Sequence, residues 1–165
     1  MTELAQGEIA HRWPQVLPGG KAVLFTDNAR GGQYDGANNE VMSFADRRRK
    51  TLQQASTYGR YLAISKGAGY LSYINNGTLF AVPFDLDTLT VRGTPSAVLQ
   101  EVAYSPGIGF AQVDFSQNGM LVYRTGGAGG GKLLTVQWLD GAGKTQHQTL
   151  RRKCLPVSTQ GFKYT

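Results

Sequence analysis

The chain has 165 residues, of which 41% are hydrophobic, with eight Tyr and seven Phe among them. A chain of that size and composition folds as one domain with a core, and a disordered or fibrous class is excluded. Its single cysteine, Cys154, excludes an intramolecular disulfide and a cysteine zinc cluster, and no apolar run approaches the ~18 residues of a membrane-spanning helix.

The net charge of +6 is concentrated in two runs, Arg47 to Lys50 and Arg151 to Lys153. The first falls where a hairpin turn is expected and the second in a tail, and neither interleaves aromatics with its charges. Both read as solvated, so a nucleic-acid partner is not expected. The N-terminal MTELAQGEIAHRW has neither a basic start nor an apolar centre. No signal peptide is expected, and the chain as it stands reads as cytoplasmic.

In chain order, residues 1–10 are expected to be a loose lead-in. A first unit (about 11–56) offers the strands HRWPQV, KAVLFTD, NNEVMSFA and KTLQQA, with a long Gly-rich loop at 29–39. A second unit (57–103) offers YGRYLAI, GYLSYIN, GTLFAVPFD and SAVLQEV. Its Asn75-Asn76-Gly77 is a strong hairpin signal, because Asn and Gly accept the positive φ of a tight turn. A third unit (104–150) offers AQVDFS, GMLVYRT, KLLTVQWLD and KTQHQTL. Aligning the second strands superposes Ala22, Tyr70 and Met120, at offsets of 48 and 50 residues. Short strands and Gly-centred turns at such a period predict an all-β fold of three four-stranded antiparallel propeller blades. The tail, 151–165, breaks the pattern. Val23, Phe25, Leu71, Tyr73, Leu121 and Tyr123 are the expected core, and 29–37 and 126–131 the expected mobile loops.

The stretches HRWPQVLPGGKAVLFT (11–26), GTLFAVPFDLDTLTVRGTPSAVLQEV (77–102) and FSQNGMLVY (115–123) resemble the TolB-type, WD-repeat-like propellers fused to bacterial, notably acidobacterial, serine/threonine protein kinases. The likeness spans roughly residues 8–146. It implies a fold and an interaction or sensory role, without catalytic residues. The chain departs from that family in having no kinase motif, in stopping after three units, and in lacking a further Pro-Asp-Gly turn after Arg151.

Chemistry-bearing residues are few. Gly126 to Lys132 has the spacing of a phosphate-binding loop, but Leu133 replaces the hydroxyl residue and a strand follows, so it is no such loop. His147 sits on a polar strand. His11 opens a first strand and, with Arg12, could bind an anion or act as a general base. Of the acids Asp27, Asp35, Glu40, Asp85, Asp87, Glu101 and Asp114, the pair in FDLDT reads as turn caps, and Asp114 as a turn-pinning or channel-facing carboxylate. Tyr58, Arg60 and Gln112 occupy first-strand positions comparable to Arg12, and with His11 they form the expected ligand-facing rim. No metal or cofactor is expected.

Two functions follow as expectations. The leading one is a non-catalytic propeller module for protein or small-molecule ligands. The alternative is a hydrolase of esters, lactones or phosphotriesters using His11 and Asp114. Closed propellers have about four to eight blades, and no capping unit is legible, so both end blades should expose apolar faces. A homodimer closing one six-bladed ring is therefore expected.

Overall fold

The computed structural model describes residues 2–29, 31–65, 68–116, 120–126, 138–139 and 145–146, and every regular element among them is a strand. No helix among the described residues is long and apolar enough to cross a membrane. The expectations for the 117–119 turn, the 127–131 loop, His147, Cys154 and the 151–165 tail lie outside the described residues.

The first sheet is a four-stranded antiparallel meander of β1 (Ala10–Val16), β2 (Ala22–Asn28), β3 (Asn38–Ser43) and β4 (Arg49–Gln53). Leu17-Pro18-Gly19-Gly20 turns the chain between β1 and β2, with the Leu17 N–H donating to the Ala22 carbonyl at 2.9 Å. All seven residues of β2 are buried, because both faces of this strand are covered. Ala22, Leu24 and Thr26 point to one side, Val23, Phe25 and Asp27 to the other.

The second sheet repeats the plan with β5 (Thr57–Ser65), β6 (Ala68–Asn75) and β7 (Thr78–Asp85). Asn76 and Gly77 hold φ of 46° and 75° in a two-residue turn, so Asn75 pairs Thr78 and the register runs unbroken to Ala68–Asp85. The outer strand is divided. β8 (Thr90–Val91) pairs the end of β7, and β9 (Ser96–Leu99) pairs its middle, with Pro95 between them unable to donate to a ladder. Asp85 caps the FDLDT turn through the amides of Asp87 and Thr88, both at 2.9 Å, whereas Asp87 is exposed. A third unit follows in short pieces: β10 (Tyr104–Ser105) with β11 (Phe110–Ala111), β12 (Val113–Phe115) with β13 (Leu121–Tyr123), and β14 (Trp138–Leu139) with β15 (Thr145–Gln146).

The two complete sheets pack face to face. Leu17, Ala22, Leu24, Val41 and Leu52 of the first meet Tyr61, Leu71, Tyr73, Val82 and Phe84 of the second. The opposite face of the second sheet carries another core, in which Tyr58, Ile74 and Leu79 meet Val102, Ala111 and Val113. A polar pin crosses the first seam. Fully buried Asn39 accepts from Thr26 Oγ1 at 2.7 Å and from the Gly59 amide at 3.0 Å, and donates to Ser56 Oγ at 2.8 Å. A Cβ on Gly59 would lie 2.4 Å from Asn39 Oδ1, so only glycine permits this approach.

Four of the six expected core residues, Val23, Phe25, Leu71 and Tyr73, are buried. Leu121 and Tyr123 are only half-buried, because the three-residue strands of the third unit reach just the rim of the second core. The loop before β3 carries a contact that the sequence reading did not foresee. Tyr34 is 3% exposed and its amide donates to the Pro106 carbonyl at 2.8 Å, so a loop of the first unit is anchored on the third.

Leu71→Ala should therefore cost roughly 2–5 kcal/mol by denaturant titration, and Leu121→Ala less than half as much. Equal losses would place the third hairpin as deep in the core as β6.

Candidate functional site

The rim residues divide between two surfaces. At the starts of the first strands, Trp13 and Tyr58 both sit in bulges with positive φ, 56° and 55°, a strained conformation for aromatic residues. The bulges bring their rings together with Phe110, at centroid distances of 5.3, 5.6 and 5.7 Å. Arg60 lies 4.9 Å over the Tyr58 ring, and Arg12 lies 4.9 Å over Tyr34 while donating to the Ile108 carbonyl at 3.0 Å. Each guanidinium thus rests on an aromatic face. Gln112 takes a structural role instead, its Oε1 accepting from Arg124 at 3.2 Å and its amide and carbonyl bonding Ala103 and Arg124.

Further along the same strands lies a concavity of about 1250 Å³, lined by Gln15 of β1, Arg60 and Ile64 of β5, Asp114 of β12, and Tyr70 and Val98 of the second sheet. Ile64 is 68% exposed and Val98 52%, so its floor is apolar and open. Arg60 supplies a cation, while the exposed Asp114 supplies a carboxylate that also accepts from the Phe115 amide at 2.9 Å. Gln15 closes the edge between β1 and β5. Its amide donates to the Tyr61 carbonyl at 3.1 Å and accepts the Tyr61 N–H at 2.7 Å.

His11 is elsewhere. Cross-strand pairing sets it on the outer face of the first sheet, opposite Asp27. Its ring packs 4.6 Å from Phe25, and its Nε2 lies 2.9 Å from Glu8. There Glu8, Asp27 and Glu40 bring carboxylate oxygens within 4.8 Å of one another. Arg49 bridges the group, one positive charge set among three carboxylates. Its Nη1 and Nη2 fork onto Glu8 at 3.0 and 2.5 Å, its Nε donates to Glu40 at 2.7 Å, and its Nη2 stands 3.9 Å from Asp27. The guanidinium also covers Phe25 at 5.3 Å. The acids therefore already hold a resident cation, and the cluster is an ion-pair network rather than a vacant metal centre.

This network corrects two expectations. Residues 2–9 are docked, since Glu3 O accepts from Arg49 at 3.4 Å, the Ile9 amide donates to Asn28 O at 2.7 Å and Glu8 supplies the fork. The outer face of the first sheet is accordingly not a bare apolar surface, with Val23, Phe25 and Met42 at 7%, 1% and 5% exposure. Within the basic run, Arg47 and Arg48 are exposed and Lys50 reaches the Thr88 carbonyl, but Arg49 turns inward on the face of Met42, its cross-strand partner.

Hydrogen bonds from Arg49 hold the Glu8 carboxyl down at about 2, from an ordinary value of 4.5. Burial, reinforced by Glu40 and Glu8, pushes the Asp27 carboxyl upward. Glu8, Arg49, Gln15 and Tyr34 escaped the sequence reading. Only Arg49 carried a signal there, its period-2 spacing from Thr51, whose hydroxyl donates to Glu40 at 3.1 Å.

Compared with models of known protein families, with curated proteins and with solved structures, the chain matches none.

An acid with a depressed folded-state pKa contributes stability that is complete above its ordinary value and is lost as pH falls through the folded one. For Glu8 that window runs from pH 4.5 down to about 2, and the upward shift of Asp27 acts in the opposite sense. Denaturant titrations at stepped pH should show wild-type stability falling across this window, with a flatter limb in Glu8→Gln. Parallel curves would mean that the fork does not form in solution.

Proposed function

We propose that the chain is a segment of a β-propeller serving as a non-catalytic interaction or ligand-binding module, an arc of three blades that a second copy completes into one ring. Support for the blades comes from two successive antiparallel sheets stacked face to face, with a third unit begun. The first is a four-strand meander, and 48 residues on stands a sheet of the same plan whose outer strand is divided into β8 and β9. The observation that carries the binding role is the convergence of Gln15 of β1, Arg60 of β5 and Asp114 of β12 on one concavity. An open apolar floor with one cation and one anion suits an extended, amphipathic peptide better than a small enclosed substrate.

Catalysis draws no support from the geometry. His11 faces Glu8 on the outer side of the first sheet, away from the concavity that Asp114 lines, so these two residues do not pair.

Titrating a fluorescent library of short amphipathic peptides should give binders that Arg60→Ala and Asp114→Ala each weaken by about tenfold or more. Turnover of activated esters or phosphotriesters that vanishes in His11→Ala and Asp114→Ala would overturn the non-catalytic reading. Ring completion predicts that sedimentation equilibrium at rising concentration reaches about twice the 17.9 kDa chain mass.

A further inference from the structure

We infer that residues 2–9 are a displaceable cap, and that they occupy the surface on which a second copy of this chain docks its last blade. This inference rests on the ring-completion reading. The repeat itself identifies the surface. At an offset of 48 residues Val23 and Phe25 correspond to Leu71 and Tyr73, and Met42 lies opposite Val23 as Val82 lies opposite Leu71. Leu71, Tyr73 and Val82 are the side chains with which the second sheet meets the first. The outer face of the first sheet therefore carries the same apolar positions in the same register, ready for the sheet that would precede it around a ring.

What covers that face now differs in kind from a sheet. The lead-in grips it by polar contacts, the Glu8 fork on Arg49, the Glu8–His11 contact and the Glu3 carbonyl on Arg49, while its own apolar side chains Leu4 and Ile9 each remain 54% exposed. Ion pairs in such partly buried places return little net stability after desolvation, whereas an apolar sheet face gains in proportion to the area it covers. A polar clasp over apolar side chains is displaced when a better-fitting apolar surface arrives. The charged positions of this face temper the exchange. Glu40 stands opposite Phe25 where Phe80 stands opposite Tyr73, and Asp27 and His11 share the face, so the incoming blade must leave Glu40 and Asp27 beside Arg49.

The test compares the full chain, a chain lacking residues 2–8, and Glu8→Gln by light scattering coupled to size exclusion across a concentration series. Circular dichroism checks that each stays folded. The expected result is a dimer whose dissociation constant falls by about tenfold or more on deletion and by less in Glu8→Gln. Val16→Glu in the deleted chain should restore the monomer while peptide binding at the concavity, which Val16 also borders, is followed alongside, because Val16 is 61% exposed and pairs with Val23. If deleted and full chains dimerise equally, the cap is overturned and ring completion stands. If deletion yields an open ladder of masses, the cap stands and ring completion falls, because the contacts then fail to close. Monomers throughout overturn both. Should the deleted chain not fold, Glu8→Gln decides in the same assay, and no tightening there overturns the cap.

Discussion

Asn39 is the point on which the arrangement of the two sheets turns. Apolar burial holds them together, but it is non-directional and would tolerate many relative placements. A fully buried amide that must satisfy both its oxygen and its nitrogen tolerates few. By accepting from Thr26 and Gly59 and donating to Ser56, Asn39 ties β2 and β3 to the start of β5 at one register. That register places Tyr58 against Trp13 and sets the Tyr61 backbone before the Gln15 amide. The aromatic cluster and the edge of the concavity thus both inherit their positions from one side chain and one missing Cβ.

The two faces of the first sheet show how one strand pattern serves two environments. On the inner face, Ala22, Leu24 and Val41 need only fit, and they fit a second sheet of the same plan. On the outer face the same alternation presents Phe25 between an imidazole and a guanidinium, with three acids gathered round the latter. Arg49 serves here as Lys would not, since a planar fork bonds two carboxylates at once and still lies flat on a ring.

Legibility in the sequence followed the range of the interactions. The hairpin at Asn76-Gly77, the long β2 and β6, and the burial of Leu71 and Tyr73 are local matters of period and turn chemistry, and the residues announce them. The divided outer strand was half visible, because Pro95 stands in the sequence but the return of β9 to the middle of β7 is set by packing. Tyr34 was hidden by its Gly-rich neighbours. Its partners, Arg12 and Pro106, are distant in the chain, and composition says nothing of them. Among candidate site residues, Arg60 and Asp114 line one concavity, a grouping the sequence reading did not make, since it set Arg60 beside Gln112. His11 did not join them, because the β1 bulge follows Arg12 and strict alternation turns adjacent side chains to opposite faces. Glu8 had no sequence signal, since a carboxylate in an irregular segment acquires a role only from what it lands on.

The strained backbones at Trp13 and Tyr58 bear on a different hazard. β1 and β5 each end a hydrogen-bonded ladder, and an open ladder edge is a template on which a stray strand from another molecule can polymerise. A bulge with a left-handed residue at its centre interrupts the row of outward-pointing amides and carbonyls and coils the strand out of flatness. Beyond each bulge, the Gln15 amide occupies a stretch where β1 and β5 run side by side. What two unfavourable conformations secure is a pair of ladder edges too twisted and too occupied for a stray strand to pair along their length.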